Sequence, residues 1–383
     1  MGITITRATT NDPIARELRQ ATARQPWIGP LMKFFAFMAP TGFPKRVFFQ
    51  FAQQLPPPLN AADPDHCNPL FNDLDDRGLV LHSKVDLHLF GPVLASVRKG
   101  IPSAQATRII EQAGRFLLAT LPLQGTPTVF PHELNRLSWH ALVLAEHAMK
   151  IGNHATATHL MQWLDRSGRK LITSWPDRAV NCHQSALHLS QRILGPQHPL
   201  TIVRLNNLGE TWRRLKEPTR AQHCLLGAIA LLQQHPPGYR HLEANILGNI
   251  GLLQIDQRQW EEAYTTFHRA WSMANSTRGL DDPLIFLCVN NLARILIGRN
   301  DLQAVVDLLQ QALERHNQIN HAVPHLNIAV ILNNLAFVQK KMGCTEGAND
   351  SLQQALVTAL KFLPEDHPQV IRIRENLHPL NLS

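Results

Sequence analysis

The sequence predicts a mainly α-helical fold, a solenoid of helix pairs preceded by a small domain with one β-hairpin. Three observations support this prediction. The pattern L-x-x-L-G/A recurs at nearly constant spacing, short polar turns divide each copy into two helical halves, and a segment near residue 80 alternates with a period of two. Helix pairs of this kind bury their apolar faces only by stacking on neighbours.

The repeat begins at four apolar positions separated by 42, 42 and 43 residues: Leu205, Leu247, Val289 and Leu332. In each copy another apolar residue follows three positions later, and Gly or Ala comes directly after it. This spacing lies on one face of a helix. A small residue in that face lets a neighbouring helix approach closely.

The second half of each copy predicts a second helix. Small or β-branched residues recur seven positions apart, which is two helical turns, so they form one stripe. The pairs are Ala221 and Ala228, Ala263 and Ala270, Val305 and Ala312, and Ala348 and Ala355. Polar turns such as "KEPTR" and "GRND" separate the halves, and "HP" precedes two of the first helices. We therefore expect each copy to be an antiparallel helix pair.

This pattern resembles the tetratricopeptide repeat, whose usual unit has about 34 residues. The 42-residue form, with "LNNLA" at Leu332 and "HP" between units, is similar to the repeats of kinesin light chain and of bacterial NB-ARC–tetratricopeptide proteins. The resemblance implies a right-handed superhelix whose first helices line a concave groove. It also implies that the groove binds another protein or a peptide.

Residues 25–100 differ in kind from the repeat. Apolar helices are predicted within 26–40 and 44–55, and a third helix is expected to end at Gly78. The alternating "LVLHSKVDLHLF" that follows predicts a β-hairpin. Helices followed by a hairpin are the layout of a winged helix.

This segment resembles the winged helix that follows the nucleotide-binding domain of STAND-class NB-ARC proteins, and 101–132 resembles that family's linker helices. His88 stands at the family's winged-helix histidine position. The nucleotide-binding domain itself has no counterpart, because no GxxxxGK[ST] motif occurs. We therefore do not carry over a nucleotide contact to His88, and we expect no ATP hydrolysis.

The chain is expected to have five segments. They are an N-terminal segment (1–24), a winged-helix-like domain (25–100), a helical linker (101–132), atypical helix pairs (133–199), and four 42-residue units with a C-terminal capping helix (200–383).

Amides on the first helices are candidate ligand contacts. Asn206, Asn290 and Asn333 hold one repeat position, and Gly248 holds it in the remaining copy. An amide both donates to and accepts from a peptide backbone, so this column is predicted to face the groove. A second asparagine follows in all four copies, and we interpret it as a structural residue that ties a helix to its neighbour: Asn207, Asn249, Asn291 and Asn334.

Charged and aromatic residues follow on the same helix faces. Arg213, Arg294, Phe337 and Lys340 lie one or two turns beyond the first asparagine. A groove with cations and an aromatic contact suits a peptide that carries carboxylates. The alternative for each individual charge is a solvated helix face.

Composition excludes several classes of protein. The net charge of +8 is spread along the chain without a run of five like charges, which argues against nucleic-acid binding. The five cysteines are scattered without a CxxC, which favours a reducing compartment. No apolar segment reaches the length of a membrane span. We expect a cytoplasmic protein.

No pattern assigns catalysis or metal binding. HExxH and GxSxG motifs do not occur. His140, His147 and His154 are seven residues apart, which places successive side chains about 10 Å apart along a helix, too far to share one zinc ion. We expect a non-catalytic protein without catalytic residues, metal or cofactor.

Two other functions remain open at this point. A DNA-binding regulator would use the winged helix, but its third helix, "CNPLFNDLDDRGL", is acidic. A membrane-surface protein would use the apolar helices of 26–55. The preferred hypothesis is a scaffold or sensor that binds a protein or peptide, with a separate STAND ATPase chain as a further expected partner.

Overall fold

The computed structural model describes residues 12–121, 129–235, 239–275, 280–320 and 324–377. Helices dominate, and a small antiparallel sheet lies near the N-terminus. The chain divides between Glu217 and Pro218 into two compact units, called here the first and the second unit. The predicted five-segment division is finer than this and stays a prediction.

The alternating segment after Gly78 forms the predicted hairpin. Its strands are β2 (Val80–His82) and β3 (Asp86–Leu89), with Leu81 opposite His88. A third strand, β1 (Gly42–Pro44), pairs with the other edge of β3, so the strand order is β1-β3-β2. β1 was not predicted, because its three residues are too few for a periodic pattern.

Ten helices of the first unit lie within its described residues. Several of them begin at a proline or a glycine. The two apolar helices after residue 25 are shorter than predicted. The helices are α1 (Pro13–Arg24), α2 (Ile28–Phe35), α3 (Lys45–Gln50), α4 (Pro64–Asp76), α5 (Gly91–Lys99), α6 (Ser103–Thr120), α7 (Pro131–Lys150), α8 (His154–Leu171), α9 (Pro176–Ile193) and α10 (Pro199–Arg214).

Aromatic side chains from separate elements form the core around the sheet. The buried rings are those of Phe34, Phe35, Phe43, Phe48, Phe71 and Phe116. Phe43 of β1 lies 5.2 Å from Phe35 and 6.0 Å from Phe116, measured between ring centroids. The imidazole of His140 on α7 lies 5.0 Å from the Phe43 ring. β1 therefore links the sheet to α2, α6 and α7.

The second unit consists of helices at the repeat positions. They are α11 (Pro218–Leu232), α12 (Arg240–Asp256), α13 (Trp260–Asn275), α14 (Pro283–Gly298), α15 (Leu302–Asn320), α16 (Leu326–Lys341), α17 (Thr345–Leu360) and α18 (Pro368–Leu377). α12 packs on α13, α14 on α15 and α16 on α17, which confirms three of the four predicted helix pairs and the solenoid fold class. The fourth predicted pair, α10 with α11, is divided by the boundary between the two units and stays a prediction. The predicted turn at "HPPG" lies at 235–238, mostly outside the described residues.

Small residues set the distance between paired helices. Gly251 on α12 faces Phe267 on α13 so closely that an added Cβ would lie 2.8 Å from the ring. Ala263 and Ala270 are fully buried on the stripe predicted for α13. The glycine or alanine of the repeat pattern is therefore fixed by close helix packing at this position.

The turns between paired helices repeat a left-handed residue. Lys216, Arg258, Asn300 and Gly343 have φ values between 58° and 81° and are spaced by 42, 42 and 43 residues. In each turn the next N–H reaches a carbonyl five residues earlier, as Gln259 N does to Gln254 O at 2.9 Å. This is the Schellman ending of a helix, and it satisfies carbonyls at the helix end.

Histidines begin several first helices. Nδ1 of His198 accepts from Leu200 N, Nδ1 of His325 from Asn327 N, and Nδ1 of His367 from Gln369 N, each at 3.2 Å. The side chains thus cap N–H groups that have no partner inside the helix. The "HP" motif was predicted only to precede two of the first helices, and this capping role was not predicted.

Candidate ligand-binding surface

Hydrogen bonds between amides join the first helices of successive repeats. Nδ2 of Asn334 on α16 donates to Oδ1 of Asn290 on α14 at 2.9 Å. Nδ2 of Asn290 in turn donates to the carbonyl of Phe286 at 2.9 Å. Both polar atoms of the Asn290 side chain therefore have partners within the chain, which leaves this predicted groove residue less able to bind a ligand.

The same contact recurs between α16 and α18. Nδ2 of Asn376 donates to Oδ1 of Asn333 at 3.0 Å. In the first unit, Nδ2 of Asn207 on α10 donates to Oδ1 of Asp165 on α8 at 3.0 Å. These bonds support the interpretation of the second asparagine as a tie between helices. Asn291 differs, because its Nδ2 donates to Leu287 O in its own helix.

Gly248 interrupts the first asparagine column for a steric reason. A Cβ at this position of α12 would lie 2.8 Å from Cδ1 of Leu284 and 3.5 Å from Cδ2 of Leu287, both on α14. An asparagine side chain has no room there unless these leucines move. The departure from the repeat therefore reflects close packing between α12 and α14.

Exposed side chains lie one turn beyond the amides. Arg294 on α14 is exposed, and the ring of Phe337 on α16 is 49% exposed. Lys340 and Lys341 are exposed on the last turn of α16, with Nζ of Lys341 5.0 Å from the centre of the Phe337 ring. We define Arg294, Asn333, Phe337, Lys340 and Lys341 as the α14–α16 face.

The cations of this face differ from other arginines of the second unit. Arg299 pairs with Glu261, Arg269 pairs with Glu243, and Arg374 pairs with Glu365. Within the described residues, Arg294 and Lys340 form no ion pair. The α14–α16 face therefore presents uncompensated positive charge beside an exposed aromatic ring.

The other two predicted site residues belong to the first unit. Asn206 on α10 is buried, with 8% of its surface exposed, and Arg213 on the same helix is half-buried. The other five predicted residues lie on α14 and α16, and the hydrogen bond between Asn334 and Asn290 joins these two helices. Lys341 adds a cation to them; it follows Lys340 in the sequence and contacts the ring of Phe337.

Of the three histidines considered for metal binding, His140 is a core residue, His147 is partly buried and His154 is exposed. The imidazole of His140 is fully buried, its Nε2 lies 3.3 Å from Gly42 O, and burial lowers its pKa to about 4. Burial likewise lowers the pKa of His147 to about 4, and its ring contacts Phe37. Across the described ranges no group of three or more His, Cys, Asp or Glu side chains is placed to hold a metal ion.

Part of the second unit matches a known family. Residues 242–318, which include α12 to α15, match the model of the tetratricopeptide repeat family. This part of the second unit is therefore similar to tetratricopeptide repeats. Such repeats imply a scaffold for protein–protein interaction, and proteins built from them are typically not catalysts.

One relative among curated proteins is human tetratricopeptide repeat protein 19, a mitochondrial protein. It is 26% identical over 175 residues, which are 45% of this chain and 34% of the human protein. The matched part is thus about a third of the length of that relative.

Solved structures with similar folds have low sequence identity. A putative kinesin light chain with nearly identical tetratricopeptide-like repeats from Podospora anserina is 16% identical, with a TM-score of 0.42, and the match covers 52% of this chain and 95% of that chain. A STAND protein with a tetratricopeptide repeat sensor from Pyrococcus horikoshii is 11% identical, with a TM-score of 0.41, and the match covers 96% of this chain and 57% of that chain.

Within the part of the chain that the structure describes, no helix combines the length and the apolar character that a bilayer crossing requires.

Proposed function

We propose that this protein is a non-catalytic scaffold or sensor and that its α14–α16 face binds a protein segment rich in Asp and Glu. The observation that carries the proposal is the exposed Phe337 ring among unpaired cations on two neighbouring first helices. Aromatic residues and arginine are the residue types that most often dominate the energy of protein interfaces.

The chemistry of the face favours a carboxylate ligand. Arg294 offers a planar guanidinium that matches a carboxylate with two parallel hydrogen bonds. Lys340 and Lys341 add two ammonium groups on α16. In the same helix, Asn333 keeps its Nδ2 as a donor while its Oδ1 accepts from Asn376. An extended acidic peptide would place carboxylates on the cations and an apolar side chain on Phe337.

The experiment is a selection from a random peptide library displayed on phage, with the whole chain as bait. We expect the selected peptides to be enriched in Asp and Glu and to contain an apolar anchor. Their affinity should fall about tenfold or more in Phe337→Ala, since an exposed aromatic anchor contributes roughly 1–2 kcal/mol or more to binding. Arg294→Ala should weaken binding and reduce its dependence on salt.

Two control variants lie on α17, the second helix of its pair, or directly after it. Lys361→Gln removes an exposed cation after α17, and Val357→Ala truncates an exposed apolar residue of α17. Neither should change the affinity. Selected peptides that bind Phe337→Ala and Arg294→Ala as tightly as the wild type would contradict the proposal.

As part of this proposal, residues 25–100 are a winged-helix-like domain and the chain is the sensor part of a STAND-type signalling system in the bacterial cytoplasm. The order of helices and strands from α2 to β3 supports the first point. The five free cysteines support a reducing compartment. Reconstitution with candidate STAND ATPases would test the system: an ATPase activity that responds to this chain and its peptide is expected.

A further inference from the structure

A cleft in the first unit lies between α3, the start of α4 and the β2–β3 hairpin. One part has a volume of about 550 Å³ and is lined by Lys45, Asn68, His82, Ser83 and Lys84. An adjoining part of about 660 Å³ shares Lys45, Asn68 and Lys84 and adds Arg46, Phe49, Gln50 and Pro64. Cations recur in this lining, and it contains no Asp or Glu.

Lys45 is buried in this cleft without a carboxylate. Only 8% of its surface is exposed, and its Nζ lies 2.6 Å from Nε2 of His82 and 3.0 Å from the carbonyl of Ser83. Both partners are neutral acceptors. Burial lowers the pKa of Lys45, because an ammonium that leaves water without a counter-ion is unfavourable.

The state of His82 follows from its partners. A lysine ammonium has no acceptor, so Nε2 of His82 must accept from Lys45, and Nδ1 then carries the proton that is donated to Oδ1 of Asn72 at 2.9 Å. The imidazole is therefore neutral. Burial and the positive charge of Lys45 lower the pKa of His82, which keeps the imidazole neutral. His82 orients Lys45 but does not balance its charge.

Within the described residues, no carboxylate forms an ion pair with Lys45. Oδ2 of Asp75 accepts from the backbone N of His82 at 3.0 Å, and Asp86 pairs with Arg136. Arg46 is held by both carboxylate oxygens of Glu133. Two cations thus face the cleft without a charged partner within the described residues: Lys45 at its floor and the exposed Lys84 at its rim.

Donors and an acceptor are available for a ligand. Lys45 has three N–H groups and uses two of them, and Lys84 lies on the hairpin loop. Oδ1 of Asn68 is buried and accepts no hydrogen bond from the described residues. An anion that also carries a hydroxyl would satisfy the lysines with its charge and Asn68 with its O–H.

We propose that this cleft binds a phosphoryl group, as inorganic phosphate or as a small phosphate ester. A tetrahedral oxyanion has enough oxygens to meet both lysines at once. A small ligand fits better than duplex DNA, since the exposed Asp65 at the beginning of α4 would repel a polyanion.

The test is isothermal titration of the whole chain with inorganic phosphate in chloride buffer at constant ionic strength. Saturable binding is expected. Lys45→Met should weaken it at least tenfold and Lys84→Gln several-fold, whereas Lys170→Gln, an exposed lysine of α8, should leave it unchanged. Lys84 is exposed, so its variant tests the site even if Lys45→Met does not fold.

Further titrations distinguish the sources of the phosphoryl group. Glycerol phosphate that binds more tightly than inorganic phosphate, with glycerol alone inactive, identifies an ester with a hydroxyl. Equal binding identifies free phosphate. The proposal would be overturned if neither inorganic phosphate nor glycerol phosphate gave a saturable binding signal. It would also be overturned if Lys45→Met and Lys84→Gln both bound phosphate as the wild type does. Binding of duplex DNA that depends on Lys84, without binding of phosphate, would overturn it in favour of a nucleic-acid site.

Discussion

The first unit packs large aromatic rings from distant parts of the chain, whereas the second unit packs alanine, leucine and glycine that recur at fixed positions. Phe43 of β1 contacts Phe116 of α6 across 73 residues of sequence. Gly251 and Phe267, by contrast, belong to paired neighbouring helices. In the second unit, the position of a residue in the repeat therefore predicts its role, whereas in the first unit only the contacts themselves reveal it.

The largest expected effect is in the aromatic core. Phe43→Ala should lower the free energy of unfolding of the first unit by about 3–5 kcal/mol, because the cavity would be surrounded by other rings. Urea denaturation followed by circular dichroism measures this. Phe337→Ala, an exposed phenylalanine of the second unit, is the control and should change stability little. A small loss in Phe43→Ala would mean that β1 does not anchor the sheet to α6 and α7.

Close packing in the second unit gives the next test. Gly251→Val should destabilise it by about 1–3 kcal/mol, because the added Cβ would meet the Phe267 ring, which is fully buried. Gly248→Ala should lower the free energy of unfolding by less, since the added Cβ would meet the flexible end of the Leu284 side chain. If thermal unfolding shows that Gly251→Val and Gly248→Ala lower the stability equally, the spacing between helices does not explain the glycine at Gly251.

Acid should weaken the first unit through His140. Its pKa is lowered from about 6.5 in the unfolded chain to about 4 in the folded one, so the unfolded state binds the proton first as the pH falls. The contribution of neutral His140 to the free energy of unfolding is fully present above about pH 6.5 and is lost as the pH falls from about 6.5 to about 4. At pH 5 the expected loss from this group is about 2 kcal/mol.

The variant His140→Leu should remove that part of the pH dependence, as judged by urea midpoints at pH 7 and pH 5. His154→Leu, which changes an exposed histidine of the next helix, should not. A wild-type midpoint that is the same at both pH values would contradict the assignment of His140 as a buried neutral histidine.

The smallest expected effect concerns the amide pair between α14 and α16. A double-mutant cycle of Asn290→Ala and Asn334→Ala should give a coupling energy of about 0.5–1.5 kcal/mol. Thermal unfolding of the four proteins measures it. Additive losses would mean that the hydrogen bond between the two side chains does not stabilise the repeat.

Much of the second unit could be predicted from the sequence. The repeat gave the helix pairs, the small residues at their contacts and the turns between them, because stacked identical units impose the same environment every 42 residues. Arg294 and Phe337 were also predicted as candidates, and the structure leaves both exposed. Their role in binding stays a prediction.

Features that depend on one particular contact could not be predicted. β1 exists only because β3, more than 40 residues later, offers an unpaired edge. Asn290 was predicted to contact a ligand, but its side-chain oxygen accepts a hydrogen bond from Asn334. Lys45 lies in an apolar run of sequence, and only the fold brings it to His82 and the cleft. None of these contacts leaves a periodic signal.

The central claim is that the α14–α16 face holds an acidic segment of a partner. The most direct test is photo-crosslinking of a selected acidic peptide that carries a photoreactive apolar residue, followed by mass spectrometry of the crosslinked chain. We expect crosslinks on α14 and α16, next to Arg294 and Phe337, that excess unlabelled peptide removes. Competed crosslinks on the second helices α13, α15 and α17, or in the first unit, would contradict it.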